Sequence, residues 1–258
     1  MSASTDVAAV ELVQSSLADG VLTVTLADEA GRNVLSVPLM QAFLAVLDEA
    51  ENDAEIRLVV VTNLGGVFCA GADLKAAPGN AAPDIFATLL RRIQTCAKPV
   101  IGKIAGHAMG GGLGLAAAFD ISVAAEDAKF GFSEVRLGVV PAVISAICLP
   151  KLRRGDAMEL FLRGNRFSAA SAAGYGLITR AAPRKSLDQA VAEIIADIIL
   201  GGPVALSIAK RLVEEVPAMD TAQALAEMTK LSAAVFASPE ARAGTQAFRE
   251  RRSPPWVK

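Results

Sequence analysis

Three features of the chain predict an α/β protein built on a mostly parallel sheet. Two β-branched apolar runs, Arg57 to Thr62 and Val100 to Ile104, each end just before a glycine-rich segment. Each glycine-rich segment then opens a helix-like stretch. Beyond Leu137 the pattern turns almost wholly helical. A βαβα succession of this kind implies right-handed crossovers, and function gathers at the carboxyl ends of the strands, where both glycine segments fall.

The elements follow in order. Glu11 to Leu17 and Val21 to Leu26 are β-rich runs separated by Asp19-Gly20, a hairpin turn. Pro38 opens an amphipathic helix to about Ala50, with Leu39, Phe43, Val46 and Leu47 on one face. The run 57–62 reads as a buried parallel strand. Residues 76–84, rich in Ala, Pro and Gly, read as a flexible loop, followed by a helix from Ile85 to Cys96. The strand Val100 to Ile104 feeds the second glycine segment and a helix running through Ala116 to Phe119; Ile121 to Ala124 and Lys129 to Phe132 follow as short β runs. Helices are expected near 143–153, 156–163, 169–175, 187–200, 204–215, 221–237 and 239–251, with Ser168 and Ser238 as N-caps.

Composition removes several functions. A chain of 258 residues buries one ordinary core. A net charge of -2, with no Lys or Arg run beyond two residues, offers no field for nucleic acid. Hydrophobic residues reach 53 %, but no uninterrupted apolar stretch is long enough for a membrane span. Met1 to Val7 lacks the charged start and apolar centre of a signal peptide. Cys69, Cys96 and Cys148 are scattered and form no disulfide framework, so a soluble protein in the reducing cytoplasm is expected. The single histidine, His107, lies inside a glycine segment and reads as a packing or hydrogen-bonding residue; no cluster of metal ligands exists, and no metal is expected.

The two glycine segments are Phe68-Cys69-Ala70-Gly71-Ala72-Asp73-Leu74-Lys75 and Ala105 to Leu115, which contains Gly110-Gly111-Gly112. A strand that runs through glycines into a helix start presents free backbone N–H groups. Two such donors aimed at one point make an oxyanion hole, which stabilises an enolate or a tetrahedral oxyanion. One glycine cluster alone would be an ordinary turn.

FCAGADLK (Phe68 to Lys75), GHAMGGGLGL (Gly106 to Leu115), FGFSEVRLG (Phe130 to Gly138), FLRGNRFSAASAA (Phe161 to Ala173) and FRERR (Phe248 to Arg252) stand in the order found in the crotonase superfamily of enoyl-CoA hydratases and isomerases. The chain resembles that family over nearly its whole length. The resemblance implies an α/β fold of the crotonase type: a spiral of ββα units over residues 1–195 and a C-terminal helical oligomerisation region over 196–258. It implies trimers, alone or stacked into hexamers, and an acyl-CoA thioester as substrate, with no cofactor beyond the coenzyme A that the substrate carries. By motif position, Ala72 and Gly111 donate to the thioester oxygen, and Ala70, Ala72, Asp73, Leu74 and Lys75 line the CoA path. Phe248 and Arg251 resemble the positions that contact CoA across a trimer interface, and Arg32 is a further candidate near the nucleotide.

The acid/base positions depart from the common hydratase pattern. Hydratases of that pattern carry one glutamate after the central glycines and another in the later FGxxE block; here the first position is Gly114 and the second is Glu134. Glu134 could be a surface carboxylate paired with Arg136, but its apolar neighbours Phe130, Phe132, Val135 and Leu137 favour a catalytic acid/base with a raised pKa. Asp73 reads as a helix cap rather than a catalyst. The leading reading is hydration of an α,β-unsaturated acyl-CoA. Glycine at 114 cannot hold a water, which keeps open an isomerase using Glu134 alone and an acyl-CoA-binding homologue with weak chemistry. Pro141 to Ser145, with GGGxGL and FSEVRLG, resembles a methylglutaconyl-CoA hydratase-like branch whose members hydrate without the first glutamate.

Overall fold

The computed structural model describes residues 11–75, 79 and 81–257. Strands β1 (Val13–Ala18) and β2 (Val21–Leu26) pair antiparallel across Asp19 and Gly20, both at positive φ (49° and 78°) as a two-residue hairpin turn demands. Helix α1 (Val37–Asn52) starts at Ser36, whose hydroxyl accepts from Leu39 N, with Pro38 in the first turn. It buries Leu39, Met40, Phe43, Leu47 and Ala50. Strand β3 (Leu58–Asn63) is buried at every residue, as its unbroken apolar run requires.

From β3 onward the chain repeats one unit. β3 is followed by β4 (Val67–Cys69) and α2 (Ala82–Thr95); β5 (Val100–Ile104) by β6 (His107–Met109) and α3 (Gly111–Ala118); β7 (Ile121–Ala125) by β8 (Lys129–Gly131) and, after a 3₁₀ turn at Glu134–Leu137, by α4 (Ala142–Cys148). The first strand of each unit joins one sheet and the second joins another. With α5 (Arg154–Arg163), β9 (Phe167–Ser168), α6 (Ala169–Gly174) and β10 (Arg180–Ala182), the sheets become β1-β2-β3-β5-β7-β10 and β4-β6-β8-β9. All pairs are parallel except β1/β2 and β8/β9. This is the spiral of ββα units. Its turns stack closely at Gly106, where a Cβ would lie 2.7 Å from the carbonyl of Gly66 and from Phe68 N.

The core between the two sheets and α1 to α3 holds Phe43, Phe68, Phe130 and Phe132. The other face of the six-stranded sheet, with Leu58, Val60, Ile101 and Val123, is covered by α7 (Leu187–Ile199) through Leu187 and Val191. Helices α8 (Pro203–Glu215) and α9 (Thr221–Phe236) bury no residue of their own, and α10 (Pro239–Glu250) buries only Ala247. Two cationic side chains fasten this region to the spiral. Lys210 Nζ meets Asp120 Oδ2 at 2.9 Å and the Ile93 carbonyl at 2.8 Å, and Arg57 donates to the carbonyls of Gly201 and Trp256.

Several expectations need correction. Among the described residues no helix starts at Gly71: Leu74 and Lys75 form a turn, and α2 begins at Ala82, before the predicted Ile85, because Pro83 suits a first helical turn. Of the predicted loop 76–84, residues 76–78 and 80 lie outside the described residues and 82–84 are helical. The second sheet and β10 are additions to the single sheet expected, and β9 and β10 fall after Leu137.

Candidate active site

The two glycine segments meet. A Cβ on Gly71 would stand 2.7 Å from the Met109 carbonyl oxygen and 3.2 Å from Gly111 N, and Gly71 has φ 92°, which glycine alone adopts without strain. The segment is held from outside by the chain at 32–35: Ala70 N donates to the Arg32 carbonyl at 3.1 Å and Leu35 N to the Gly71 carbonyl at 2.8 Å. Asn33, buried at φ 50°, donates to the Val67 carbonyl at 2.9 Å and pins this turn to β4.

Gly110 has φ 51° and ψ -121° and caps α3, its own N–H tied to the Gly131 carbonyl at 2.8 Å. Gly111 is the first helical residue, so its N–H has no intrahelical acceptor. Among the described residues neither Gly111 N nor Ala72 N donates to a protein group. Both residues line one pocket of about 580 Å³.

Glu134 reaches the same pocket from the start of the 3₁₀ turn. Its Oε1 lies 3.0 Å from where a Cβ on Gly110 would be, so the missing side chain at 110 is the seat of the carboxyl. Its Oε2 is buried without a hydrogen-bond partner, and burial pushes its pKa above the ordinary glutamate value. Arg136 does not pair with it; that guanidinium donates to the Arg163 carbonyl at 3.2 Å. Of the four apolar neighbours, Phe130 and Phe132 are buried, whereas Leu137 is 58 % exposed.

The rest of the wall is apolar: Leu35, Met40, Ala82, Pro83, Phe86 and Val139 to Ile144. Asp73 also lines the pocket, and it caps a turn rather than a helix, Oδ1 accepting from Lys75 N at 3.0 Å. Gly114 is buried in α3 and turned toward α4. A Cβ there would lie 2.6 Å from Ile144 Cβ and closer still to Ile144 Cγ2, so no side chain fits at 114 unless Ile144 moves.

The structure gathers only part of the predicted set. Ala72, Asp73, Gly111 and Glu134 share the pocket wall. Ala70 lies beside it in the first glycine segment, while Leu74, Lys75 and Arg32 are exposed outside it, Arg32 at φ 59°. Phe248 is 85 % exposed and Arg251, at φ 54°, ends α10; neither lines this pocket within one chain. His107 Nδ1 accepts from Lys129 N at 3.1 Å, a packing role. Sequence reasoning missed Phe86 and Met40, whose signal is the apolar face of α2 and α1, and Gly110, whose positive φ has no signature beyond being glycine. Among the described residues no group of three or more His, Cys, Asp or Glu converges as a metal site. No single helix there is long and apolar enough to cross a membrane; the apolar stretches 184–199 and 203–218 are separated by a 110° bend.

Comparison with known proteins identifies the family. The profile of the family described as "Enoyl-CoA hydratase/isomerase" matches residues 16–258. The enoyl-CoA hydratase EchA19 of Mycobacterium tuberculosis is 36 % identical over 245 residues, covering 90 % of this chain and 91 % of that protein. A carnitinyl-CoA dehydratase of Salmonella typhi is 34 % identical, covering 86 % and 87 %. The crystal structure of an enoyl-CoA hydratase from Bacillus anthracis superposes with a TM-score of 0.89 at 31 % identity, over 96 % of this chain and 99 % of that one. The chain belongs to the enoyl-CoA hydratase/isomerase family, the crotonase superfamily.

Proposed function

We propose that the protein hydrates an α,β-unsaturated acyl-CoA thioester through an enolate whose oxygen is held by the N–H groups of Ala72 and Gly111. The observation that carries this reading is the seating of one half-buried carboxyl, Glu134, against Gly110, next to the free amide of Gly111 at a helix start. The hydroxyl of water adds to the β-carbon, the electron pair moves to the thioester oxygen, and Glu134 gives its proton to the α-carbon. The water's other proton passes to Glu134, which that transfer leaves ionised, so the one carboxyl is restored; Asp73, also on the wall, has Oδ1 engaged by Lys75 N. Donors fixed before reaction stabilise the enolate without reorganisation, each worth about 3 kcal/mol.

The Gly114 and Ile144 contact favours a second reading. Where a water-holding carboxylate could stand there is hydrocarbon, and an isomerase needs only one group, Glu134, to take a proton from one carbon and return it two carbons away. Product mass after reaction in heavy-oxygen water separates the two. Label in the product supports hydration; rapid interconversion of β,γ- and α,β-enoyl-CoA without label refutes it. Binding of thioesters without either product would leave only the acyl-CoA-binding reading.

The assembly we propose is a trimer or a pair of trimers, with Phe248 and Arg251 contacting the CoA of a neighbouring subunit. This is supported by two long helices with nothing buried within one chain and by the exposure of Phe248 away from its own pocket. Light scattering at micromolar concentration checks it: a fully active monomer would refute it. Arg251→Ala should raise KM for the thioester while kcat holds.

A further inference from the structure

We propose that the pocket takes a hydrocarbon acyl group, rejects one that carries a second carboxylate, and has its width set by Ile144. The inference rests on the thioester reading above and names the substrate class of that same site.

The wall that faces the reacting groups is hydrocarbon, from Leu35 and Phe86 on one side to Val143 and Ile144 on the other. Among the described residues the only ionisable side chains on it are Asp73 and Glu134, both acids. Among the described residues no Lys, Arg or His lines it. A carboxylate on the acyl chain would therefore leave water without a cation or a ring of donors to replace it, beside two acidic side chains. Burying an unpaired charge is among the costliest things a site can do. Glu134 shows that the pocket is already short of donors, since its Oε2 is buried with no partner. A hydrocarbon chain meets no such penalty. It can also extend toward solvent along Val139 and Val140, which are 52 % and 69 % exposed at the rim.

Ile144 determines the width because of what stands behind it. The side chain is 2 % exposed and packs onto the bare backbone of Gly114, where no Cβ fits. Shortening Ile144 therefore opens space that no side chain of α3 can refill, and that space adjoins the acyl chain. One methylene of extra room in an apolar pocket is worth about 10-fold or more in discrimination between acyl groups.

Calorimetry on the full-length protein with saturated, unreactive thioesters tests both parts. Butyryl-CoA should bind about 100-fold more tightly than succinyl-CoA, with free CoA as the reference. In Ile144→Ala the affinity ratio of β-methyl-branched isovaleryl-CoA to butyryl-CoA should rise about 10-fold, and in Ile144→Val by less. Circular dichroism and melting establish that each variant is folded, and the milder Val variant keeps the test open if Ala does not fold. Succinyl-CoA binding as well as butyryl-CoA, or an unchanged ratio in a folded variant, overturns the inference. Because binding needs no turnover, the two readings fail separately: the expected ratios with neither product would refute the proposed chemistry and support this inference. No thioester binding above free CoA would overturn both.

Discussion

Replacing Gly110 by alanine tests the site at its narrowest point. The residue sits at φ 51°, ψ -121°, a region closed to side chains by their own backbone, so the Ala variant stores about 1–3 kcal/mol of strain. At about 2–4 °C per kcal/mol for a chain of this size, the melting point should fall but the fold should survive. The new methyl would lie 3.0 Å from Glu134 Oε1 and 3.3 Å from Glu134 Cδ. Ordinary contact needs about half an ångström more, so the carboxyl must move off its seat against Gly110. Misplacement on this scale costs about 10- to 100-fold in rate. We expect kcat to fall by that factor with KM nearly unchanged, read as loss of the conjugated-thioester absorbance. Gly176→Ala is the control: its φ is 84°, it pays a similar backbone cost, and it does not line the pocket, so it should lose stability without losing kcat. Wild-type turnover in folded Gly110→Ala would show that the carboxyl is not seated by this contact.

The α/β frame was legible because its signals are local: Asp19-Gly20 can only turn, and the apolar runs of β3 and β5 are long enough to read as buried strands. The second sheet was not legible. Its strands β4, β6 and β8 are three residues each, too short for any periodicity; only β8 showed, as the short run Lys129 to Phe132, and the three form a sheet because successive turns of the spiral lay them side by side. Strand β10 is equally short and begins with an exposed arginine; it forms by adding to the open edge of β7. The helix expected after Gly71 is replaced by a turn that Asp73 closes on Lys75. At the site, Glu134 stood out by its apolar surroundings, but its seat did not, since a positive φ at Gly110 and an approach of 3.0 Å are tertiary facts. The sequence shows that position 114 lacks a carboxylate; only the packing of α3 on α4 shows that Ile144 holds the space. Lys210 carries no local signal of its burial; only the fold sets its side chain, 9 % exposed, against Asp120.

Those particulars set the remaining tests. Glu134→Gln keeps shape and removes proton transfer, so kcat should drop about 10²- to 10⁴-fold with thioester binding retained; a smaller loss would move the acid/base role elsewhere. Gly114→Glu alone should fold poorly, because its Cβ enters Ile144, and should be rescued in stability by Ile144→Ala; a stable single variant would contradict the packing of α3 on α4. Lys210→Met leaves Asp120 facing a buried position without its cation, and should cost about 3–5 kcal/mol by denaturant unfolding. Burial raises the Asp120 pKa, so in the variant the deficit should shrink as pH falls through that raised value and the carboxyl becomes neutral; a deficit independent of pH would refute the assignment. The pH dependence of kcat/KM separates the two chemistries. Glu134 must enter hydration protonated, to deliver a proton to the α-carbon, and must enter isomerisation ionised, to remove one. Its pKa is raised above 4.5 chiefly because burial disfavours the carboxylate. For hydration its flank is therefore a fall in rate as pH rises through that raised value; for isomerisation it is a fall as pH drops through the same value. In both cases the flank lies above the range of a free glutamate and disappears in Glu134→Gln. A flank at the ordinary value, or one that survives the substitution, would mean that another group carries the proton.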